Sequence, residues 1–420
     1  MEKCSVIVCG RLFDGLREEL RSGLEILVEG NCIRQVGPNL SRPAGAAVID
    51  LSHLTVTPGL IDAHVHGNLL RWQEMDNILF QSEAYSSLAF LHTAQRCLER
   101  GFTTIRCNGM GPLDFGLADV KALIDRGYFP GARMRIACHM LGGPGMPGDM
   151  SMYAKTNPRL ARHLQTAFVG SGGAFFRDAV RREIKYGSDF IKIFLSGSFG
   201  SPDGGPELCY LDEEELAAII NTAHDLGRQV TAHVYTPQAM QRLLRLGIDG
   251  MEHGALMDGE TAGLIEKSGI YLVPTFAPFQ DIIEGDEQEL SLNTADEREK
   301  KLKWAPRLRE SRRVICNSRI RLGFGSDFCV RHQPYESWYE YRGWLLSGMD
   351  PFRALKAATS VNAGILGLDQ CLGSIEPGKL ADIAAWPGDL LTDAEALRQC
   401  GFVMKGGDVY PAGNRVVDDL

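Results

Sequence analysis

The sequence predicts an α/β chain: a distorted (β/α)8 barrel of the TIM type, joined to a small β domain built from both chain ends. Three observations predict it. From Thr57 onward, short apolar strands alternate with helical patterns, and eight such strands fit before Asp327. The stretches before Thr57 and after Leu368 are rich in short strands parted by turn residues, and neither is large enough to be stable alone. Metal-ligand residue types recur at or near the ends of strands 1, 4, 5, 6 and 8. The expected division is 1–57 plus 368–420 for the β domain and 58–367 for the barrel.

In the first segment, Cys4–Val8, Leu24–Glu29, Cys32–Val36 and Ala47–Asp50 are Val-, Ile- and Leu-rich runs separated by Gly30-Asn31 and Gly37-Pro38. Barrel strand 1 follows, in Pro58-Gly59-Leu60-Ile61-Asp62-Ala63-His64-Val65-His66-Gly67. The other seven are Thr103–Arg106, Arg135–His139, Phe190–Leu195, Gln229–Val234, Asp249–His253, Tyr271–Thr275 and Arg321–Ser326. Between them, segments such as Ser82–Arg100, Asp212–Leu226 and Asp296–Asn317 carry helical patterns. Gly101, Gly187, Gly227, Gly247 and Gly269 precede strands and fit helix C-terminal caps. Two long connections, Leu141–Gly173 and the acidic Phe276–Asp296, either shape the mouth or, for the acidic one, form a solvated loop. At the far end, Phe402–Lys405, Gly406-Gly407 and Asp408–Tyr410 read as a hairpin.

Composition excludes several classes. The formal net charge of -9 is spread without a basic stripe, which argues against nucleic acid. The 11 cysteines are scattered without CxxC pairs, so no zinc-ribbon or thioredoxin site is expected. Unpaired thiols suit a reducing cytosol, and Cys4, Cys9, Cys138 and Cys316 lie in apolar runs where burial is expected. No signal-peptide core or membrane-length run is present, so the expected location is cytoplasmic.

On strand 1, His64 and His66 are two residues apart and share a face, so both imidazoles can aim at one point. Alone, such a pair reads as two solvated histidines. Lys192, His233, His253 and Asp327 add to it from later strands. A lysine among ligands is costly as an ammonium. As a neutral amine it can take up CO2 to give an anionic carbamate that bridges two cations; alone, it reads as a salt-bridging residue. Four histidines, one lysine and one aspartate can hold two divalent ions around a shared water of lowered pKa. The N/O donor set suits Zn2+ first, then Mn2+ or Fe2+. Asp327 can bind one ion and accept the water's proton. His139 ends strand 3 and faces either the pocket or the core. Arg331 and His332, after strand 8, are candidate substrate contacts. His53, His92, His163 and His224 read as surface or packing residues.

With these residues the chain resembles the amidohydrolase superfamily, whose pattern of His-x-His, carboxylated Lys, His, His and Asp falls on His64, His66, Lys192, His233, His253 and Asp327. Pro58–Asp62 and Gly373–Ile383 are also typical. The resemblance implies a β-sandwich made from both termini beside the barrel, two metal ions, a small-molecule amide substrate and no membrane or nucleic-acid partner; homo-oligomerisation stays open. Ile191-Lys192-Ile193, His233-Val234-Tyr235 and Met251-Glu252-His253-Gly254 are most similar to the imidazolonepropionase-related group, and there to Xaa-Pro dipeptidases. In those, a tyrosine at the position of Tyr235 hydrogen-bonds the reacting carbonyl. Two departures stand out. Relatives carry Gly-Gly-His-Gly-Asp where this chain has Gly142-Gly143-Pro144-Gly145-Met146-Pro147-Gly148-Asp149, and often Arg-Asp where it has Arg106-Cys107-Asn108. The expected function is therefore amide hydrolysis of the Xaa-Pro dipeptidase type. A cyclic amidohydrolase, an N-acyl amino acid hydrolase or a deaminase is the alternative. A non-catalytic scaffold is disfavoured by the complete ligand set.

Overall fold

A computed structural model describes residues 3–67, 81–109, 114–200, 204–291, 293–327 and 335–413. The strands are β1 (Cys4–Leu12), β2 (Arg21–Ser22), β3 (Glu25–Glu29), β4 (Cys32–Gly37), β5 (Ala47–Pro58), β6 (Leu60–Val65), β7 (Phe102–Asn108), β8 (Arg133–Ala137), β9 (Met140–Gly142), β10 (Ile191–Phe194), β11 (Val230–Val234), β12 (Gly250–His253), β13 (Tyr271–Val273), β14 (Arg321–Leu322), β15 (Ile383–Trp386), β16 (Phe402–Lys405) and β17 (Asp408–Tyr410).

Strands from both chain ends share one eight-stranded sheet, ordered β17-β16-β15-β5-β1-β3-β4 with β2 on β1. Its pairs are antiparallel except β1–β5. The β16–β17 hairpin turns at Gly406-Gly407 as its sequence requires. Alternating apolar side chains, among them Ile7, Ile26, Val56, Ile383 and Met404, form a core separate from that of the barrel.

The barrel strands run parallel, β6-β7-β8 and β9-β10-β11-β12-β13-β14. β8 and β9 are two pieces of the third barrel strand, interrupted at Cys138-His139. Closure comes from Ala63 N–H to Phe324 O and Asp327 N–H to His64 O, both 2.8 Å. Every residue of β6, β7, β10, β11 and β12 is buried, as parallel strands covered by helices must be. Helices lie between the strands, for example Glu83–Glu99, Gly173–Lys185 and Glu213–Asp225, the last started by an Asp212/Glu215 capping box. The five pre-strand glycines all have positive φ, from 67° at Gly227 to 114° at Gly187. They end the helices where a side chain would strain the left-handed turn.

One expectation needs correction. Cys4 and Cys316 are half-buried, because one opens β1 at its end and the other lies in the last turn of the helix Ala295–Asn317; Cys9 and Cys138 are buried. The acidic connection after β13, read either as a wall of the mouth or as a solvated loop, is part helix and exposed over residues 284–288. It folds into short helices, Gln280–Glu284 and Glu287–Ser291, and turns some of its charge inward. Buried Lys301 Nζ bonds Asp281 Oδ2 (3.0 Å) and Pro278 O (2.9 Å), with Glu297 Oε1 at 3.3 Å. Burying carboxylates without such a cation would be prohibitive.

Candidate metal centre

Four of the expected ligands, His64, His66, His253 and Asp327, meet at the C-terminal ends of β6 and β12 and in the segment that follows β14. His64 Nε2 lies 3.2 Å from His66 Nε2, and both lie 3.3 Å from Asp327 Oδ1. Donor atoms of His64, His253 and Asp327 fall within 4.8 Å of one another. His233 joins through its ring, whose centroid is 4.4 Å from that of His253. Lys192 projects from β10 close enough for its charge to bear on His64, His233, His253 and Asp327.

Each histidine has one nitrogen engaged by the protein. His64 Nδ1–H donates to Glu252 Oε2 (2.7 Å) and His66 Nδ1–H to Gly109 O (2.8 Å). His233 Nε2–H donates to Gly197 O (3.3 Å), and His253 Nδ1 pairs with Thr275 Oγ1 (2.7 Å). A carbonyl or carboxylate only accepts, so these partners place the protons of His64, His66 and His233 and leave the opposite nitrogen with a lone pair. With both rings in the neutral form, the lone pairs of His64 and His66 would face each other and Asp327 Oδ1, three acceptors with no proton between them. A cation is what makes that triangle favourable, and ligating histidines take such outer partners.

The electrostatics agree. Burial, followed by the Lys192 charge, holds His64 and His233 well below the usual imidazole range, and burial with the neighbouring imidazoles does so for His253. These rings are neutral, as ligands must be. Burial pushes Lys192 down to about 8, against the pull of Glu252 and Asp327. Its Nζ is buried with no hydrogen-bond partner among the described residues. An amine so placed is an incomplete group, and a carbamate on it would present oxygens to the same cluster. Burial pushes Asp327 up, but the neighbouring histidines and lysine more than offset that, and its carboxyl lies below the ordinary range.

Backbone geometry marks the same place. His253 (φ 71°), Thr275 (φ 45°) and Asp327 (φ 52°) adopt left-handed conformations, which a β-branched threonine strongly resists. Strain of this kind collects where side chains must be aimed. For His253 the effect is visible: it breaks the strand alternation, so that Glu252 and His253 both reach the cluster.

The other expected site residues are placed as follows. Tyr235 is buried, its ring centroid 4.6 Å from His233 and 5.4 Å from His253. His139 is packed between Phe168 (4.5 Å, stacked) and Phe115 (4.9 Å, edge-on), with Nδ1 2.7 Å from Glu183 Oε1. Arg331 and His332 lie outside the described residues. Sequence reasoning missed Glu252, Thr275 and Asp62. Asp62 is fully buried and accepts from His64 N–H (3.0 Å), Ser326 N–H (3.1 Å), Ser326 Oγ–H (2.6 Å) and Ser337 Oγ–H (2.8 Å). Its signal was available, because Asp62, His64 and His66 share one strand face.

The chain is similar to known proteins in sequence and in fold. A model of the amidohydrolase family matches residues 55–410. A crystal structure of a Xaa-Pro dipeptidase with bound methionine superposes with a TM-score of 0.86 at 27% identity, covering 97% of this chain and 100% of the other. A prolidase solved with N-methylphosphonate-L-proline gives 0.83 at 27%, covering 97% and 99%. In sequence, ochratoxinase of Aspergillus niger is 26% identical over 436 residues, 97% of this chain and 87% of that protein.

Proposed function

The chain belongs to the amidohydrolase family, and from that premise we propose that it hydrolyses an amide or peptide C–N bond, with an Xaa-Pro dipeptide as the first substrate to test. The observation that carries this reading is the acceptor triangle of His64, His66 and Asp327 beside an unpartnered lysine amine. His64, His66, His233, His253, Asp327 and a carbamate on Lys192 would hold two divalent ions, Zn2+ first by donor type. Such ions supply Lewis acidity and lower the pKa of water to near neutrality.

The remaining steps belong to the chain's own groups. The Tyr235 phenol, beside His233 and His253, donates to the carbonyl oxygen as charge develops there. An Asp327 oxygen takes the proton of the attacking water and delivers it to the departing nitrogen. Neutral His64, His233 and His253 keep positive charge off their ligand nitrogens.

The two similar solved structures, one of a Xaa-Pro dipeptidase and one of a prolidase, support the dipeptide reading. One feature supports another amide, cyclic or N-acyl: residues 142–149, where Gly145 N–H bonds Asp149 Oδ2 (2.8 Å), contain no histidine and offer no imidazole. A panel of dipeptides with C-terminal Pro, Arg and Lys, N-acyl amino acids, lactams and hydantoins separates the two. The expected result is turnover of an Xaa-Pro dipeptide with about two metal ions per chain. A stable metal-free protein inert on the whole panel would sink the enzymatic reading.

A further inference from the structure

We propose that Glu252 is a positioning residue for His64, and that Arg106, Thr231 and Tyr271 hold its carboxylate in place. The inference rests on His64 being a metal ligand. Glu252 is completely buried. Its Oε2 accepts from His64 Nδ1–H (2.7 Å), while Oε1 accepts from Arg106 Nη2–H (2.6 Å) and Thr231 Oγ1–H (2.6 Å). Arg106 is fixed in turn: Nε–H donates to Ala63 O (2.6 Å) and Nη1–H to Tyr271 Oη (2.8 Å). Its guanidinium carbon lies 5.2 Å from the Phe190 ring centroid and 5.3 Å from that of Tyr271.

An ion pair serving stability alone needs one contact between Arg106 and Glu252. Here the second carboxylate oxygen is spent on the His64 ring, and the guanidinium also grips the carbonyl of the residue before His64. The group joins β6, β7, β11, β12 and β13, so it fixes both the ring and the backbone of one ligand against most of the barrel. Chemically it does two things. It keeps the His64 proton on Nδ1, so the lone pair stays on Nε2 facing His66 and Asp327. It also lets a carboxylate offset the charge that His64 would share with a bound cation, which raises ligand basicity.

Glu252→Gln is the direct test. The amide would present N–H to His64 Nδ1, moving the ring proton to Nε2, the atom that must bind. The chelator-stripped variant is expected to bind Zn2+ about 10–100-fold more weakly by chelator competition. In the metal-free protein, the His64 15N shifts are expected to change from the Nδ1–H to the Nε2–H tautomer. Should Glu252→Gln leave Arg106 unbalanced and unfold the chain, the neutral pair Arg106→Gln/Glu252→Gln should fold and show the same loss. Wild-type Zn2+ affinity and an unchanged His64 tautomer in either folded variant overturn the proposal. His64→Asn separates the two levels. If it loses Zn2+ and Glu252→Gln does not, the positioning role alone fails; if it binds Zn2+ as wild type does, the ligand reading beneath it fails as well.

Discussion

One side of the barrel is held by a continuous backbone ladder, and the other by two backbone bonds reinforced with side chains. From β10 to β14 each strand pairs with the next in continuous parallel register, such as Ile191 with Val230 and Thr231 with Gly250. Where β14 meets β6, two backbone bonds are joined by side chains. Asn362 Nδ2 donates to Ile61 O (2.8 Å) and Phe324 O (2.7 Å), and Asp62 collects its four donors. Gly325 lets the two strands touch: a Cβ there would lie 2.7 Å from His64 Cβ. This seam carries His64, His66 and Asp327. Peptide groups can make a ladder from many sequences, whereas particular side chains make the seam, so substitutions on the two sides should fail in different ways.

The largest effect is expected at Asp327, on the seam itself. Asp327→Asn keeps the shape of the side chain and removes the proton acceptor, so turnover should fall by about 10²–10⁴ with a nearly unchanged melting temperature. Turnover within a few-fold of wild type would remove Asp327 from proton transfer.

Next comes the clamp. Asp62→Ala strands two backbone N–H groups and two hydroxyls in a buried place and should cost about 3 kcal/mol by denaturant titration. It should also weaken Zn2+ binding, because His64 and Ser326 lose a shared anchor. A cost below about 1 kcal/mol would mean the backbone bonds suffice and the contrast between the two sides is false.

A third test reaches the end of the ladder, where the chain leaves β13 through Thr275. Glu340 Oε1 accepts from Phe276 N–H (2.9 Å) and Trp344 Nε1–H (2.6 Å), and Oε2 from Ala277 N–H (2.5 Å). Burial outweighs these donors and pushes the carboxyl from 4.5 to about 8. The folded chain then holds this proton more tightly than the unfolded one. The contribution is full below pH 4.5 and is lost as pH rises to about 8. In metal-free protein, wild-type stability relative to Glu340→Gln should therefore fall steadily across that window. A flat difference would show that the three donors keep Glu340 ionised throughout.

The ladder side was the more legible in the sequence. Strand–helix alternation and the pre-strand glycines fixed where each parallel strand begins, and backbone pairing follows without special residues. His64, His66, Lys192, His233, His253 and Asp327 were recognisable because unusual residue types end strands. Glu252 was not, because alternation assigns neighbours to opposite faces and the φ of 71° at His253 cancels that rule. Thr275 was hidden for the same reason: nothing local forces a threonine to φ 45°. The acidic connection left two readings open, since net charge does not reveal that Lys301, on the helix that follows, reaches back to Asp281.

The smallest effect tests the ladder itself. Ile191 is buried on β10, one residue before Lys192, and alternation turns its side chain away from the amine. Ile191→Val removes one methylene from the packing around the barrel and should cost about 1 kcal/mol. The register of Ile191 with Val230 and of Lys192 with Thr231 depends on peptide groups that the substitution does not touch. Lys192 should therefore stay where it is, and turnover per folded molecule should match wild type while the denaturant midpoint drops. A parallel loss of turnover would mean that packing behind the ladder, and not its hydrogen bonds, sets the position of Lys192. The two sides of the barrel would then differ in degree and not in kind.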